Sequence, residues 1–248
     1  MPDCSKFGGY LKYFIESNRR RALIASTLVP AALLLNGWYD RLLSKEPIFL
    51  WFSDIFGFLF LPTAVFLWLY VKAGINPHNY GLVTSELAGG LGEVLKETMM
   101  ALAVLWPIAR FMPELAWPFL WRFGLGDYAF LTHVSLPLPH NTFASAFAIA
   151  YMFLSAAVVE ELYFRGLLKH LILGRNRARN GVNVWIYVSF SALLFGACHW
   201  ERGAAHVLAM SVFGTAACVM YLKFSSIYPL IVAHAFIGAF AKASRLFS

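Results

Sequence analysis

"FLWFSDIFGFLFLPTAVFLWLYV", residues 49–71, carries a single charged side chain, Asp54. A run this long and this apolar matches the ~30 Å hydrocarbon core of a bilayer, which takes about 20 helical residues to cross. The same pattern recurs on both sides of it. Upstream, Arg19-Arg20-Arg21 precedes "ALIASTLVPAALLLNGWY", residues 22–39. A charged segment before an apolar run resembles a signal peptide, but no small-x-small cleavage site follows, so it reads as a retained first helix. Downstream, further spans are expected near 95–112, 142–172, 183–200, 204–222 and 226–242. The stretch 113–139, with Pro113, Pro118, Pro137 and Pro139, reads as interfacial or re-entrant, with room for an eighth short helix. The expected fold is an all-α, polytopic transmembrane helical bundle of about seven to eight spans.

Composition agrees. Of 248 residues, 60% are hydrophobic and 13% charged, where soluble domains are nearer 25% charged. The net charge is +7. In a soluble protein that would raise nucleic-acid binding; here the basic residues have a simpler use, in setting topology and meeting anionic lipid. Nucleic acid is therefore excluded as a partner and the lipid bilayer takes its place. With the N-terminus in the cytoplasm, that side collects Lys6, Lys12, Arg19, Arg20, Arg21, Lys72, Lys96, Lys169, Arg175, Arg177, Arg179 and Lys223. The far side collects Arg41, Lys45, Arg122, Arg202, Lys242 and Arg245, and Arg110 and Arg165 fall within or near spans. The bias favours this orientation. Cys4, Cys198 and Cys218 form no disulfide framework; the last two fall in apolar spans, where cysteine acts as a small hydrophobe.

Against this background the ionisable residues inside spans stand out: Glu160, Glu161, Arg165, His170, His199, His206 and His234, with Glu201 at a boundary. Each charged one costs roughly 2.5–3.5 kcal/mol at mid-bilayer on insertion scales. Glu161 and Arg165 are four residues apart on one helical face and can pair. Glu160 is turned about 100° away and is left to find another partner. A buried carboxylate without a counter-charge can exchange protons near neutrality. Measured along their helices at 1.5 Å per residue, Glu160 lies ~22 Å from the charged turn at 175–180, His199 ~28 Å from Asn180, and His234 ~16 Å from Lys223. Three helices can thus bring one carboxylate and two imidazoles to a common level. His170 and His206 read as helix–helix hydrogen bonds, and Glu201 and Arg202 as solvated boundary residues.

"EELYFR" (160–165) is an EExxxR motif, "FGACH" (195–199) an FxxxH motif, and "HAFIG" (234–238) stands where a third motif, HxxxN or HxxxD, would fall. Their order and spacing over residues 142–242 resemble the CPBP family, the CAAX protease and bacteriocin-processing or Abi proteins. These are intramembrane glutamic endopeptidases related to the type II CAAX prenyl endopeptidase. The resemblance implies Glu160 as the base that activates water, His199 as the residue that holds it, and His234 as a holder of water or of the developing oxyanion. It also implies that Glu161 and Arg165 support the site. The chain departs from the pattern at Gly238, which offers no side-chain donor where the family often has asparagine or aspartate.

The resemblance further implies residues 142–248 as a catalytic core and 1–141 as N-terminal spans plus an interfacial segment, the two forming one integral bundle. It implies no cofactor. A His₂Glu zinc site is the alternative chemistry, though HExxH is absent. The expected substrate is a membrane-anchored protein or peptide, and the expected setting a bacterial plasma membrane. Two other classes compete: a non-catalytic immunity or scaffold protein of the same fold, and a small transporter, for which no inverted repeat is visible.

Overall fold

The computed structural model describes residues 20–43, 47–82, 90–125, 146, 150–151, 157–173, 181–224 and 226–243. Among them every regular element is helical. In chain order these are α1 (Leu28–Leu43), α2 (47–73), α3 (Leu91–Arg122), α4 (159–173), α5 (Gly181–Ala197), α6 (Ala204–Lys223) and α7 (Tyr228–Ala243). Three helical stretches are long and apolar enough to cross a membrane: Trp51–Ala73, Leu91–Arg122 and Ala204–Lys223. Gly181–Ala197 and Tyr228–Ala239 are shorter apolar helices. The protein is an all-α membrane protein.

A helical stretch over 20–26 precedes α1 and is offset from it at Thr27. Pro30 has no N–H to offer the preceding turn, and Ser26 and Thr27 turn their hydroxyls back onto the carbonyls of Leu23 and Ile24, each at 2.7 Å. In α2, a π-helical turn at Phe56–Phe60 separates Pro47–Ile55 from Leu61–Ala73, and the helix ends on Gly74 at φ 66, the left-handed conformation glycine adopts without strain.

α3 differs from the expected span. It does not stop near 112 but runs 32 residues, through Pro107, Pro113 and Pro118, to Arg122. Residues 113–122, read from their prolines as interfacial or re-entrant, continue the helix; 126–139 lie outside the described residues. Each proline removes one hydrogen bond without ending a helix whose neighbours and solvent satisfy the freed carbonyl. At 1.5 Å per residue α3 is ~48 Å long, well beyond a ~30 Å core. Its last turns carry Trp117, Trp121, Phe119 and Phe123 in two ring contacts, the aromatic signature of a membrane–water boundary. The exposed Arg110–Glu114 ion pair lies on the same part of the helix.

α3, α5, α6 and α7 form the packed centre, with α3 running against both α6 and α7. α5 and α6 approach through small residues. A Cβ added at Gly196 would come within 2.6 Å of the Val207 carbonyl and 3.0 Å of the Ser211 N, and one at Gly214 within 3.0 Å of Ala192 Cα. Close backbone approach of this kind gives helices in lipid their van der Waals cohesion, because lipid supplies no hydrophobic drive. One buried cluster draws on every helix: Val29, Leu69, Leu105, Leu167, Phe195, Phe213 and Leu230 all belong to it. A short turn, Pro77–Tyr80, links the two halves of the chain. Tyr221 donates its hydroxyl to the Tyr80 carbonyl at 3.1 Å, and Gly166 lies so close that a Cβ there would be 2.6 Å from the same oxygen.

Candidate active site

α4 carries three ionisable side chains into the centre. Glu160 is 5% exposed, and Glu161 and Arg165 are fully enclosed. The helix is π-wound over Leu162–Leu167, directly after the two glutamates. Such turns release backbone carbonyls from the helical ladder and cluster at functional sites. Here α5 satisfies two of them. Tyr187 donates its hydroxyl to the Arg165 carbonyl at 3.2 Å, and Ser191 donates to the Phe164 carbonyl at 2.7 Å. Tyr187 and Ser191 are one helical turn apart, so one buried face of α5 stitches the site-bearing turn of α4 in place.

The pair expected from spacing is present: Arg165 Nε lies 3.1 Å from Glu161 Oε2. The two atoms face each other without a hydrogen bond's alignment, and Nη1 and Nη2 of Arg165 find no hydrogen-bond partner among the described residues. The guanidinium lies instead over the Phe195 ring, 4.4 Å from its centroid. That cation–π contact is strong where water is excluded.

His234 of α7 meets both glutamates. Its Nδ1 lies 2.8 Å from Glu161 Oε1 in a hydrogen bond, and its Nε2 lies 3.7 Å from Glu160 Oε2. Because a carboxylate oxygen only accepts, Nδ1 carries a proton. Glu160 Oε2 is buried and makes no hydrogen bond with any described residue. Of the two glutamates, then, Glu161 is tied to a guanidinium and an imidazole, while among the described residues Glu160 has the longer approach to His234.

His199 stands just past the end of α5, at the start of the turn Trp200–Arg202. Its Nδ1 donates to the Phe195 carbonyl at 2.8 Å, which leaves Nε2 as an acceptor on the neutral ring. Phe195 joins the cluster: its ring centroid is 4.8 Å from that of His199 and 6.0 Å from that of His234. Two anchors fix the turn to α1, with Trp200 Nε1 donating to the Leu34 carbonyl at 3.0 Å and Cys198 Sγ lying 3.9 Å from the Pro30 carbonyl.

The structure thus sets Arg165, His199 and His234 around the Phe195 ring, with Glu161 against Arg165 and both glutamates against His234. Gly238, one turn beyond His234, is exposed, and a Cβ there would meet no described heavy atom within 4 Å. His170 lies on α4 below this group. The residues missed in the sequence are Tyr187 and Ser191, which look like ordinary span residues; the group beyond His199 is visible there but reads as structural or solvated. The His206 ring lies 5.8 Å from that of His199, and Arg202 Nη1 donates to His206 Nε2 at 3.3 Å. Glu201, read as solvated, is largely enclosed: its side chain is 23% exposed, and its Oε2 is buried without a hydrogen-bond partner among the described residues. No group of three or more His, Cys, Asp or Glu side chains among the described residues is placed to hold a metal ion.

A helical membrane protein that gathers two carboxylates, a guanidinium and two imidazoles in its interior falls in the class of intramembrane proteins with a buried acid–imidazole centre. Within the chain, residues 142–240 match the family model described as Rce1-like, type II CAAX prenyl endopeptidase Rce1-like. That stretch includes every residue of the cluster just described. No curated protein and no solved structure matches the chain.

Proposed function

We propose that the protein is a glutamic-type endopeptidase that hydrolyses a peptide bond near the terminus of a membrane-anchored protein or peptide, with Glu160 as the catalytic base. The observation that carries this reading is the contrast between the two glutamates. Glu161 is held by Arg165 and His234, whereas Glu160 Oε2 is buried with no hydrogen bond among the described residues. A carboxylate in that state is equipped to take a proton.

In the proposed reaction, water sits between Glu160 and the acceptor Nε2 of His199. Glu160 removes a proton as the water oxygen attacks the scissile carbonyl carbon. The tetrahedral intermediate collapses, the C–N bond breaks, and protonated Glu160 gives its proton to the leaving amine. His234, tied to Glu161, positions Glu160 from the other side. The low-dielectric interior strengthens each of these contacts. The reaction uses no metal and no cofactor.

Residues 142–248 would form the catalytic core, with 1–141 as the spans around it. The setting we propose is a bacterial plasma membrane with the N-terminus in the cytoplasm, and the substrate a C-terminal sorting or anchor segment. A second reading, a non-catalytic immunity or scaffold protein, draws on Gly238, whose open position supplies no side-chain donor.

The test is Glu160→Gln in purified protein, assayed against membrane-anchored peptides. Cleavage is expected to fall to background with the fold intact. A wild-type protein that cleaves none of them, in a cell whose phenotype survives Glu160→Gln, would leave the second reading standing.

A further inference from the structure

Resting on that reading, we infer that Arg202 supplies the oxyanion-stabilising charge of the site, with His206 holding its guanidinium in position. Negative charge must develop on the carbonyl oxygen of the substrate, and a preorganised donor aimed at it is commonly the largest single contribution to such catalysis.

The residues of the three motifs do not supply that donor in the observed arrangement. Both ring nitrogens of His234 face glutamates, Nδ1 on Glu161 and Nε2 towards Glu160. His199 donates its one N–H to the Phe195 carbonyl and offers only an acceptor. Arg165 is fully enclosed beneath Phe195 and paired with Glu161, where no substrate can reach it. Gly238 has no side chain.

Arg202 meets each requirement. It lies three residues after His199 on the same tight turn, its backbone N–H donating to the His199 carbonyl at 3.2 Å. Its guanidinium contacts His206, whose ring lies 5.8 Å from that of His199. Its guanidinium is held at two points, Nε 3.4 Å from Glu201 Oε1 and Nη1 on His206 Nε2 at 3.3 Å, yet the side chain stays 42% exposed and open to a ligand. Arg202 and His206 are four residues apart, so the turn and the first turn of α6 set this geometry together. Glu201 also argues for the nature of the charge received. A permanent substrate carboxylate would meet the Glu201 carboxylate beside it, whereas a carbonyl oxygen is neutral until water attacks. As the water oxygen bonds to the carbonyl carbon, the C=O π pair moves onto oxygen, and an Arg202 N–H donates to it. When the C–N bond breaks, the pair returns.

The experiment compares wild type, Arg202→Gln, Arg202→Lys and His206→Ala for kcat and KM on one membrane-anchored peptide, made with a free and with an amidated C-terminus. Thermal melting of each variant in detergent checks the fold. For Arg202→Gln the expected result is a ~10²-fold fall in kcat with KM unchanged on both peptides. Arg202→Lys should keep part of the rate, and His206→Ala should lose kcat by a smaller factor. Two results overturn the assignment and leave the endopeptidase reading intact: full activity in Arg202→Gln, or a rise in KM confined to the free-acid peptide, which would make Arg202 a dock for a terminal carboxylate. Absence of cleavage by the wild type overturns both.

Discussion

His234 and Glu161 lie 73 positions apart in the chain, on different helices, yet Nδ1 and Oε1 meet at 2.8 Å. Glu161 therefore holds two partners, the guanidinium of its own helix and the imidazole of α7. Glu161→Gln leaves Arg165 as a buried cation without its counter-charge. Breaking a buried pair in this way costs about 3–5 kcal/mol. The variant should melt well below wild type in detergent and should lose part of its activity through His234. Glu160→Gln should melt near wild type with no activity. Measuring both melting curves and both rates checks the division of labour; equal effects of the two changes would contradict it.

Phe195 offers its ring to Arg165, His199 and His234 and its carbonyl to His199. Phe195→Leu keeps the carbonyl and the bulk but removes the π face. Loss of a desolvated cation–π contact costs about 2 kcal/mol. The expected outcome is a lower melting temperature and a reduced rate, with the His199 hydrogen bond preserved. Phe195→Tyr should retain more of both.

Ser191 donates to the Phe164 carbonyl inside the π turn. Ser191→Ala strands that buried acceptor, at a cost of about 1–3 kcal/mol. Because the turn carries Arg165 and follows Glu160, activity should fall along with stability. Chemical denaturation and a rate measurement on the same preparation test this. An unchanged rate would show that the turn does not need the stitch.

The glycines Gly196 and Gly238 should respond oppositely to alanine. At Gly196 a methyl group runs into the Val207 carbonyl at 2.6 Å and forces α5 from α6, so Gly196→Ala should be poorly folded. At Gly238 no described atom lies within 4 Å, and Gly238→Ala should be neutral or more stable by about 0.5–1 kcal/mol, since alanine is the better helix former. Expression level and melting temperature distinguish the two.

Several of these features were legible in one dimension and others were not. The apolar runs located most of the helices, three of them long and apolar enough to cross a membrane, because a bilayer imposes a minimum length on any helix that crosses it. The Glu161–Arg165 pair followed from four-residue spacing, a local property of the helix. The full length of α3 was hidden, because Pro113 and Pro118 look like stops to a local reading, while the helix tolerates them where its freed carbonyls find partners. Tyr187 and Ser191 were hidden for a different reason: which carbonyls they satisfy depends on how α5 lies across α4, and that is decided by close approach elsewhere. Arg202 was set aside because a charge at the end of a span is usually solvated, and only the placement of His206 and Glu201 around it marks it as held.

The two anchors between the His199 turn and α1, from Trp200 to the Leu34 carbonyl and from Cys198 to the Pro30 carbonyl, have a mechanical consequence. With the turn pinned to α1 at two successive levels, the first helix of the bundle shares with α5 the task of placing the imidazole of His199, so a displacement of α1 would be felt at the centre.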